Sequence, residues 1–463
     1  MSAHGSSLTS GREREQIRRP PVALSNRDAD APIAIRDDEV VTCGQLWFAA
    51  RQWAERLPDR AFAINLCADR YHFLIAFLAV ILRGQCNLLP PTRQPVTLRE
   101  LLHEFPDAYL LHDGMPVLDG CVGLDVSQLT VSSGGITSDI PSVPAEQTAA
   151  LVFTSGSTGQ PRAVRKSWHN LREAALLNRS YLFRDGLSSC GMVSTAPPGH
   201  MYGLEWSIML PLFSDCTVWC GEAFFPDDIR GALARLDGRR VLVSTPLHLR
   251  SIVRSGLQFP DLHTVLCATA PLDCRLARDV EARLSTRLLE IYGCSEAGSL
   301  ACRWPVRDPA WRLFREFRIE SAAPRVRVSA DHLPEPIELA DTIRFQADGS
   351  FTLEGRDADL IKVGGKRASL SEINLRLLRL DGVEDGVVYH PPDLGLDDTG
   401  RLAALVVSDS QSAEAIRRQL ARVLDRAFVP RPVRLVARLP RTAAGKMRRE
   451  DLLQLIGECP PAS

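Results

Sequence analysis

From about residue 149 the chain repeats one pattern, a compact apolar run followed by a polar turn and then a longer stretch of helical spacing. The apolar runs are Ala149 to Phe153, Met192 to Thr195, Thr217 to Cys220, Val241 to Ser244, Thr264 to Ala268 and Leu288 to Tyr292. They are short and lack polar alternation, which suits strands covered on both faces. Between two of them the spacing predicts a helix over 226–237. Pro226 fits its first turn, Asp227 and Asp228 favour the positive end of the dipole, and Gly238 can close it. Ile229, Leu233 and Leu236 form its apolar stripe. Strands alternating with covering helices imply an α/β architecture.

After Gly355 the rhythm changes. A helix is predicted over 371–380, strands near 386–389 and 402–407, a second helix over 413–427 and a short strand over 433–436. A segment of about 105 residues with this content can form a small α+β domain of its own. The predicted organisation is a flexible arm over 1–25, a large N-terminal domain with mixed sheets over 26–356, and a small mobile C-terminal domain over 357–463. At roughly 150 residues per domain, 463 residues agree with a multi-unit chain.

Composition excludes several classes. The formal net charge is -1, so no global field draws the chain to nucleic acid or an anionic membrane. The longest apolar run, Phe73 to Leu82, is too short to span a bilayer and predicts a buried helix. The first twenty residues mix Arg with Glu and lack the apolar core of a secretory signal. Twelve cysteines lie scattered without a CxxC pair or zinc-like spacing, as expected of free thiols in a reducing cytoplasm.

The strongest local signal follows the first apolar run: Thr154-Ser155-Gly156-Ser157-Thr158-Gly159-Gln160-Pro161. Glycines let the backbone bend around a ligand, and hydroxyls with exposed N–H groups can cradle phosphate oxygens. No Gly-Lys-Ser/Thr follows, so it is not a Walker A loop. Four further segments follow in order: Tyr292-Gly293-Cys294-Ser295-Glu296; Asp341 at a set distance before Gly355-Arg356; Arg356 through Ile373; and Leu439-Pro440-Arg441-Thr442-Ala443-Ala444-Gly445-Lys446.

Together, over about residues 40 to 455, these segments resemble the superfamily of acyl-CoA synthetases, peptide-synthetase adenylation domains and beetle luciferases. The resemblance implies an AMP-forming ligase that uses ATP and Mg²⁺. It implies catalytic roles for Lys446, Glu296 and Thr158, with Glu296 as the metal ligand. Thr154, Ser155, Gly156, Ser157, Thr158 and Gly159 would hold phosphates. Thr269, Ala270, Pro271, Tyr292, Gly293 and Ser295 would surround the nucleotide, and Asp341 and Arg356 would take the ribose hydroxyls. Lys446 would stabilise charge between carboxylate and α-phosphate. The family's small domain rotates between two half-reactions, which would exchange Lys446 for a loop comprising Lys362, Gly364, Gly365 and Lys366. The usual hinge aspartate is Ala358 here, leaving Asp357 or Asp359 for that role. Arg162, Trp168, Thr269 and Cys294 also depart from the usual pattern.

The segment His200-Met201-Tyr202-Gly203 resembles one wall of the family's acyl pocket. Met201 stands where amino-acid-activating relatives carry an aspartate, which argues against an α-amino acid. His200, Tyr202, Gly203, Thr245, His248 and Thr269 are the expected acid-pocket residues, suited to an aryl or hydroxylated acid. The short chain and its Thr-Ala-Pro-Leu segment also resemble stand-alone ligases of aryl-polyene and xanthomonadin-type pathways. Between Arg417 and Arg449, eleven positive side chains face Asp425 alone. That charge suits docking of an acidic acyl carrier protein bearing phosphopantetheine, or the 3′-phosphate of CoA. A catalytically silent nucleotide-binding relative is the alternative from another class.

Overall fold

The computed structural model describes residues 19–36, 38–115, 120–128, 135–154, 162–184, 186–321, 325–356, 360–363, 366–391, 401–442 and 445–458. Among them, five of the six apolar runs become neighbouring strands of one eleven-stranded sheet. Its centre is parallel, in the order Arg287–Cys294, Thr264–Cys267, Arg240–Ser244, Cys190–Ser194, Cys216–Trp219, Pro32–Arg36. Alternate residues explain the missing polar alternation. Val241, Val243, Leu266 and Leu289 enter the core on one face, while Leu242, Val265, Cys267 and Leu288 join the helices on the other.

The first apolar run belongs to a second sheet. Strand Thr148–Thr154 pairs with Cys86–Leu89 in parallel and with Arg162–Ser167 antiparallel, and Phe62–Asn65, Ala108–His112 and Gly123–Asp125 complete six strands. The predicted Phe73–Leu82 helix is real and starts earlier, at Arg70–Leu82, where Asp69 accepts from the N–H groups of Tyr71 and His72. Every residue from Arg70 to Ile81 is buried, in one core with Trp47, Val152 and Val218, so the helix lies between layers drawn from both sheets.

Three expectations shift. The helix predicted over 226–237 ends at Ala234, and that over 413–427 ends at Val423, because Asp425 caps a separate 3₁₀ turn, Arg426–Phe428. The arm expected over 1–25 is anchored at its far end: Val22–Ala23 pairs with Ser142–Val143, Leu24 is fully buried, and the Ser25 hydroxyl donates to the Leu212 carbonyl at 2.7 Å. Trp168, one of the departures from the usual pattern, is a core residue whose indole N–H donates to the Ala23 carbonyl.

Beyond residue 360 a separate sheet orders Asp385–Tyr389, Ala403–Val407 and Val433–Leu435. Helices Leu370–Leu378 and Ala413–Val423 cover one face through Leu377, Ile416 and Leu420. Leu452 of helix Arg449–Glu458 covers the other, against Tyr389 and Leu405.

Candidate active site

In parallel sheets, ligands collect outside the carboxyl ends of strands, where loops can vary while strands stay fixed. Here the carboxyl ends of both sheets face one cavity of about 2080 Å³. Its walls include Leu66 to Ala68 and Pro90 to Gln94 from the six-stranded sheet. From the larger sheet come Thr195, Pro197 to Tyr202, Glu222 to Phe224, Ala268 to Leu272 and Cys294 to Glu296. Lys446, 150 positions after Glu296 in the chain, lines the same space.

On the nucleotide side, the Tyr292 hydroxyl donates to Asp341 Oδ2 at 2.8 Å, and Asp341 is the cross-strand partner of Arg356. Three predicted residues thus meet at one place. Ser295 and Glu296 sit on the turn between Arg287–Cys294 and Gly298–Trp304. Only glycine fits the two ends of that turn. A Cβ on Gly293 would lie 2.2 Å from the Gly298 carbonyl oxygen, and Gly298 has φ +77 with Glu205 Oε1 2.0 Å from a notional Cβ. Thr269 lines the cavity at φ +83, a left-handed conformation that is strained for a β-branched residue. Ala270 and Pro271 follow it along the wall. The stretch Ser155 to Pro161 closes a hairpin whose ends, Thr154 and Arg162, are register partners, but the loop itself lies outside the described residues.

On the acid side, His200, Tyr202 and Thr269 line the cavity, whereas Gly203, Thr245 and His248 do not. Gly203 packs so tightly on Pro197 that a Cβ would stand 1.9 Å from its carbonyl oxygen. Thr245 is fully buried and its hydroxyl bonds His248 Nδ1 at 2.9 Å, with the His248 ring edge-on to Phe224. The Thr245–His248 pair therefore supports the wall from behind, with Phe224 presented to the cavity. Burial, with the Lys446 charge adding to it, pushes the His200 imidazole down to about 3, so it is neutral at physiological pH.

Lys446 is exposed on a tight turn. Its N–H donates to Thr442 Oγ1 at 3.1 Å and its carbonyl accepts from the Thr442 N–H at 2.8 Å. Gly445, at φ +78, lies against Leu247 and Thr245. Arg441 clamps the turn, donating to both oxygens of Asp385 at 2.7 and 2.8 Å and to the Gly445 carbonyl at 3.1 Å. The segment beyond 360 is also tied down by Arg379 to Asp273 at 2.8 Å and by Arg254 to the Val383 carbonyl. Of the other predicted loop, Lys366 pairs with Asp425 at 2.6 Å and does not line the cavity. Gly364, Gly365 and the hinge candidates Asp357, Ala358 and Asp359 lie outside the described residues.

The basic stretch is less bare than its composition implies, because acids outside it reach in. Glu414 pairs with Arg417, Asp385 with Arg441 and Asp451 with Arg448. Arg418, Arg422, Arg426, Arg431, Arg438 and Arg449 are exposed without ion pairs among the described residues, near the exposed Val423 and Leu435.

Sequence reasoning missed Lys166. The residue is 3% exposed and its ammonium donates to the Glu296 carbonyl at 2.7 Å, holding the turn that carries that carboxylate. Burial pushes its pKa down, and the fully buried Glu205 opposes that. Glu205 in turn accepts from the Ser299 N–H and hydroxyl. Two signals were available. Lys166 shares the inward face of its strand with Val164, and Glu205 is the one acid in the apolar run Leu204 to Leu212.

Residues 23–315 match the family described as AMP-binding enzyme. Among curated proteins, the chain is 27% identical over 336 residues to a 4-coumarate–CoA ligase of Halorhodospira halophila, covering 70% of this chain and 82% of that one. It is 24% identical to a 3,4-dihydroxybenzoate–[aryl-carrier protein] ligase of Bacillus anthracis, covering 66% and 74%. The fold superposes on the Bacillus subtilis O-succinylbenzoate coenzyme A synthetase in complex with AMP, with a TM-score of 0.77 at 19% identity, covering 92% and 96%. The chain belongs to the AMP-binding enzyme family, the class of ATP-dependent, AMP-forming acid ligases.

Proposed function

We propose that this enzyme activates an aryl acid, hydroxybenzoic acids among the candidates, as its acyl-AMP and then transfers the acyl group to the phosphopantetheine thiol of a carrier protein. In the first half-reaction a carboxylate oxygen bonds to the α-phosphorus of ATP and the α–β phosphoanhydride bond breaks, releasing pyrophosphate. In the second, the thiol sulfur bonds to the acyl carbon and AMP departs.

The observation that carries this reading is the meeting of Lys446, Glu296 and the Tyr292–Asp341 pair around one cavity. Two anions must approach in the first step, and the Lys446 ammonium at the cavity wall would neutralise the charge that develops. The donor set also fits ATP with Mg²⁺, since the half-buried Glu296 offers a hard cation one carboxylate oxygen and leaves phosphate and water to complete its shell. When bound, the ion would polarise the phosphate oxygens. Asp341 and Arg356 would hold the ribose, and the 155–161 loop the phosphates.

The chain would work as a large unit and a small one turning at 357–359. The ties from Arg379, Arg254 and the Lys446 turn then belong to the adenylating arrangement, and rotation would replace them with the 362–366 hairpin. For the acceptor, Arg418, Arg422 and Arg426, unpaired among the described residues, combine charge for steering with an apolar contact at exposed Val423, which favours a protein over free CoA. The test is acid-dependent exchange of pyrophosphate into ATP over benzoic, hydroxybenzoic, cinnamic and fatty acids, followed by transfer to CoA or to carrier protein. Aryl-dependent exchange and faster carrier-protein loading are expected. Exchange driven only by fatty acids refutes the substrate class, and unchanged carrier-protein loading after reversing Arg418 and Arg422 refutes the docking.

A further inference from the structure

Arg70 presents a charge that the protein leaves unanswered. It opens helix Arg70–Leu82 and is only 6% exposed, yet it lines the cavity beside Phe73, Pro197 and His200. Nη2 donates to the Ala196 carbonyl at 2.6 Å and Nε to the Ser207 hydroxyl at 3.4 Å. Both acceptors are neutral. Nη1 has no partner among the described residues, and no carboxylate there lies within ion-pair distance of the guanidinium. The adjacent Asp69 is committed to capping the helix through the N–H groups of Tyr71 and His72. The neighbouring Cys220 thiol is pushed up by burial and carries no charge at neutral pH.

Each of these facts opposes a purely structural role. Two neutral acceptors could be bridged by an uncharged amide side chain. A cation in the first turn of a helix also opposes the dipole. Desolvating a charge without a counter-ion is costly. An anion entering the cavity would relieve both penalties at once and find the free Nη1 edge of the guanidinium.

We propose that Arg70 is a substrate-binding residue that receives a second oxyanion, a carboxylate at the end of the acid remote from the reacting one. This deepens the ligase reading and rests on it. His200 ties the two ends of the pocket together, since its loop is held by Arg70 through Ala196 while its own ring feels the charge of Lys446. The preferred substrate is then a dicarboxylic acid, with one carboxylate directed to Lys446 and the other to Arg70.

Pyrophosphate exchange with matched pairs tests this, using benzoic acid against the three benzenedicarboxylic acids and a straight-chain monoacid against the corresponding diacids. In the wild-type enzyme at least one diacid should exceed its monoacid in kcat/KM by about tenfold or more. Arg70→Gln should collapse that ratio, and Arg70→Lys should recover part of it. Exchange with monoacids alone, or an Arg70→Gln loss equal for both members of a pair, overturns the assignment while leaving the ligase reading intact. Exchange with no acid at all overturns both. The wild-type comparison holds its force even if the variants fold poorly.

Discussion

Lys166 spends a buried charge on one carbonyl, and that carbonyl belongs to Glu296. Replacing it with methionine keeps the volume but releases the turn and leaves Glu205 buried without its nearest cation. Lys166→Met should weaken the apparent Mg²⁺ affinity in pyrophosphate exchange by about tenfold, in line with loss of an outer support for a metal ligand. Titrating Mg²⁺ against exchange rate checks this, and an unchanged midpoint would refute the link. Thr269 makes the opposite bargain, holding a left-handed backbone that costs an L-residue about 1–2 kcal/mol. Thr269→Gly should raise stability by roughly 0.5–1 kcal/mol after glycine's entropy loss is counted. Denaturant unfolding of the two proteins measures the difference. The sequence marked Thr269 as a departure, but its φ depends on how the 268–272 loop leaves the sheet, which one-dimensional spacing does not encode.

At the scale of elements, the turn from Arg441 to Met447 is held by a bidentate ion pair that is less than one-fifth exposed on either side. Asp385→Asn should loosen the turn and slow acyl-AMP formation by about tenfold, since misplacing a catalytic group by an ångström costs that much or more. Single-turnover adenylation and a melting curve together separate this from unfolding. A normal adenylation rate would mean the clamp is only structural. Periodicity made the central strands and the buried helix legible, because two-sided burial leaves an apolar signature. It could not reveal that the 149–153 run joins a second sheet, because strand partners are set by crossover geometry. Motif order singled out Tyr292, Asp341, Glu296 and Lys446, and all four line one cavity. Thr245 and His248, singled out with them for the acid pocket, bond each other behind the wall and do not line the cavity. Arg441, quoted within the Leu439-to-Lys446 segment but given no role there, acquires one only when its partner Asp385, 56 positions away, is seen.

The whole molecule buries several imidazoles in their neutral form. Burial pushes His200 down to about 3 and both His248 and His332 to about 4, all from an ordinary value of 6.5. Between those values and 6.5 the unfolded chain binds protons that the folded chain refuses, so stability falls as pH drops from about 6.5 toward 4. His248→Asn should flatten the dependence of melting temperature on pH in that window, and an unaltered slope would contradict the assignment. The largest claim concerns how the chain works as two units, with the segment beyond 360 delivering Lys446 to a cavity built by the rest. Lys446→Ala decides it most directly when both half-reactions are measured on the same preparation. The predicted result is loss of acid-dependent pyrophosphate exchange by at least about a hundredfold, while transfer from preformed acyl-AMP to a thiol stays within a few-fold of the unaltered enzyme. Intact exchange with blocked transfer would contradict the account.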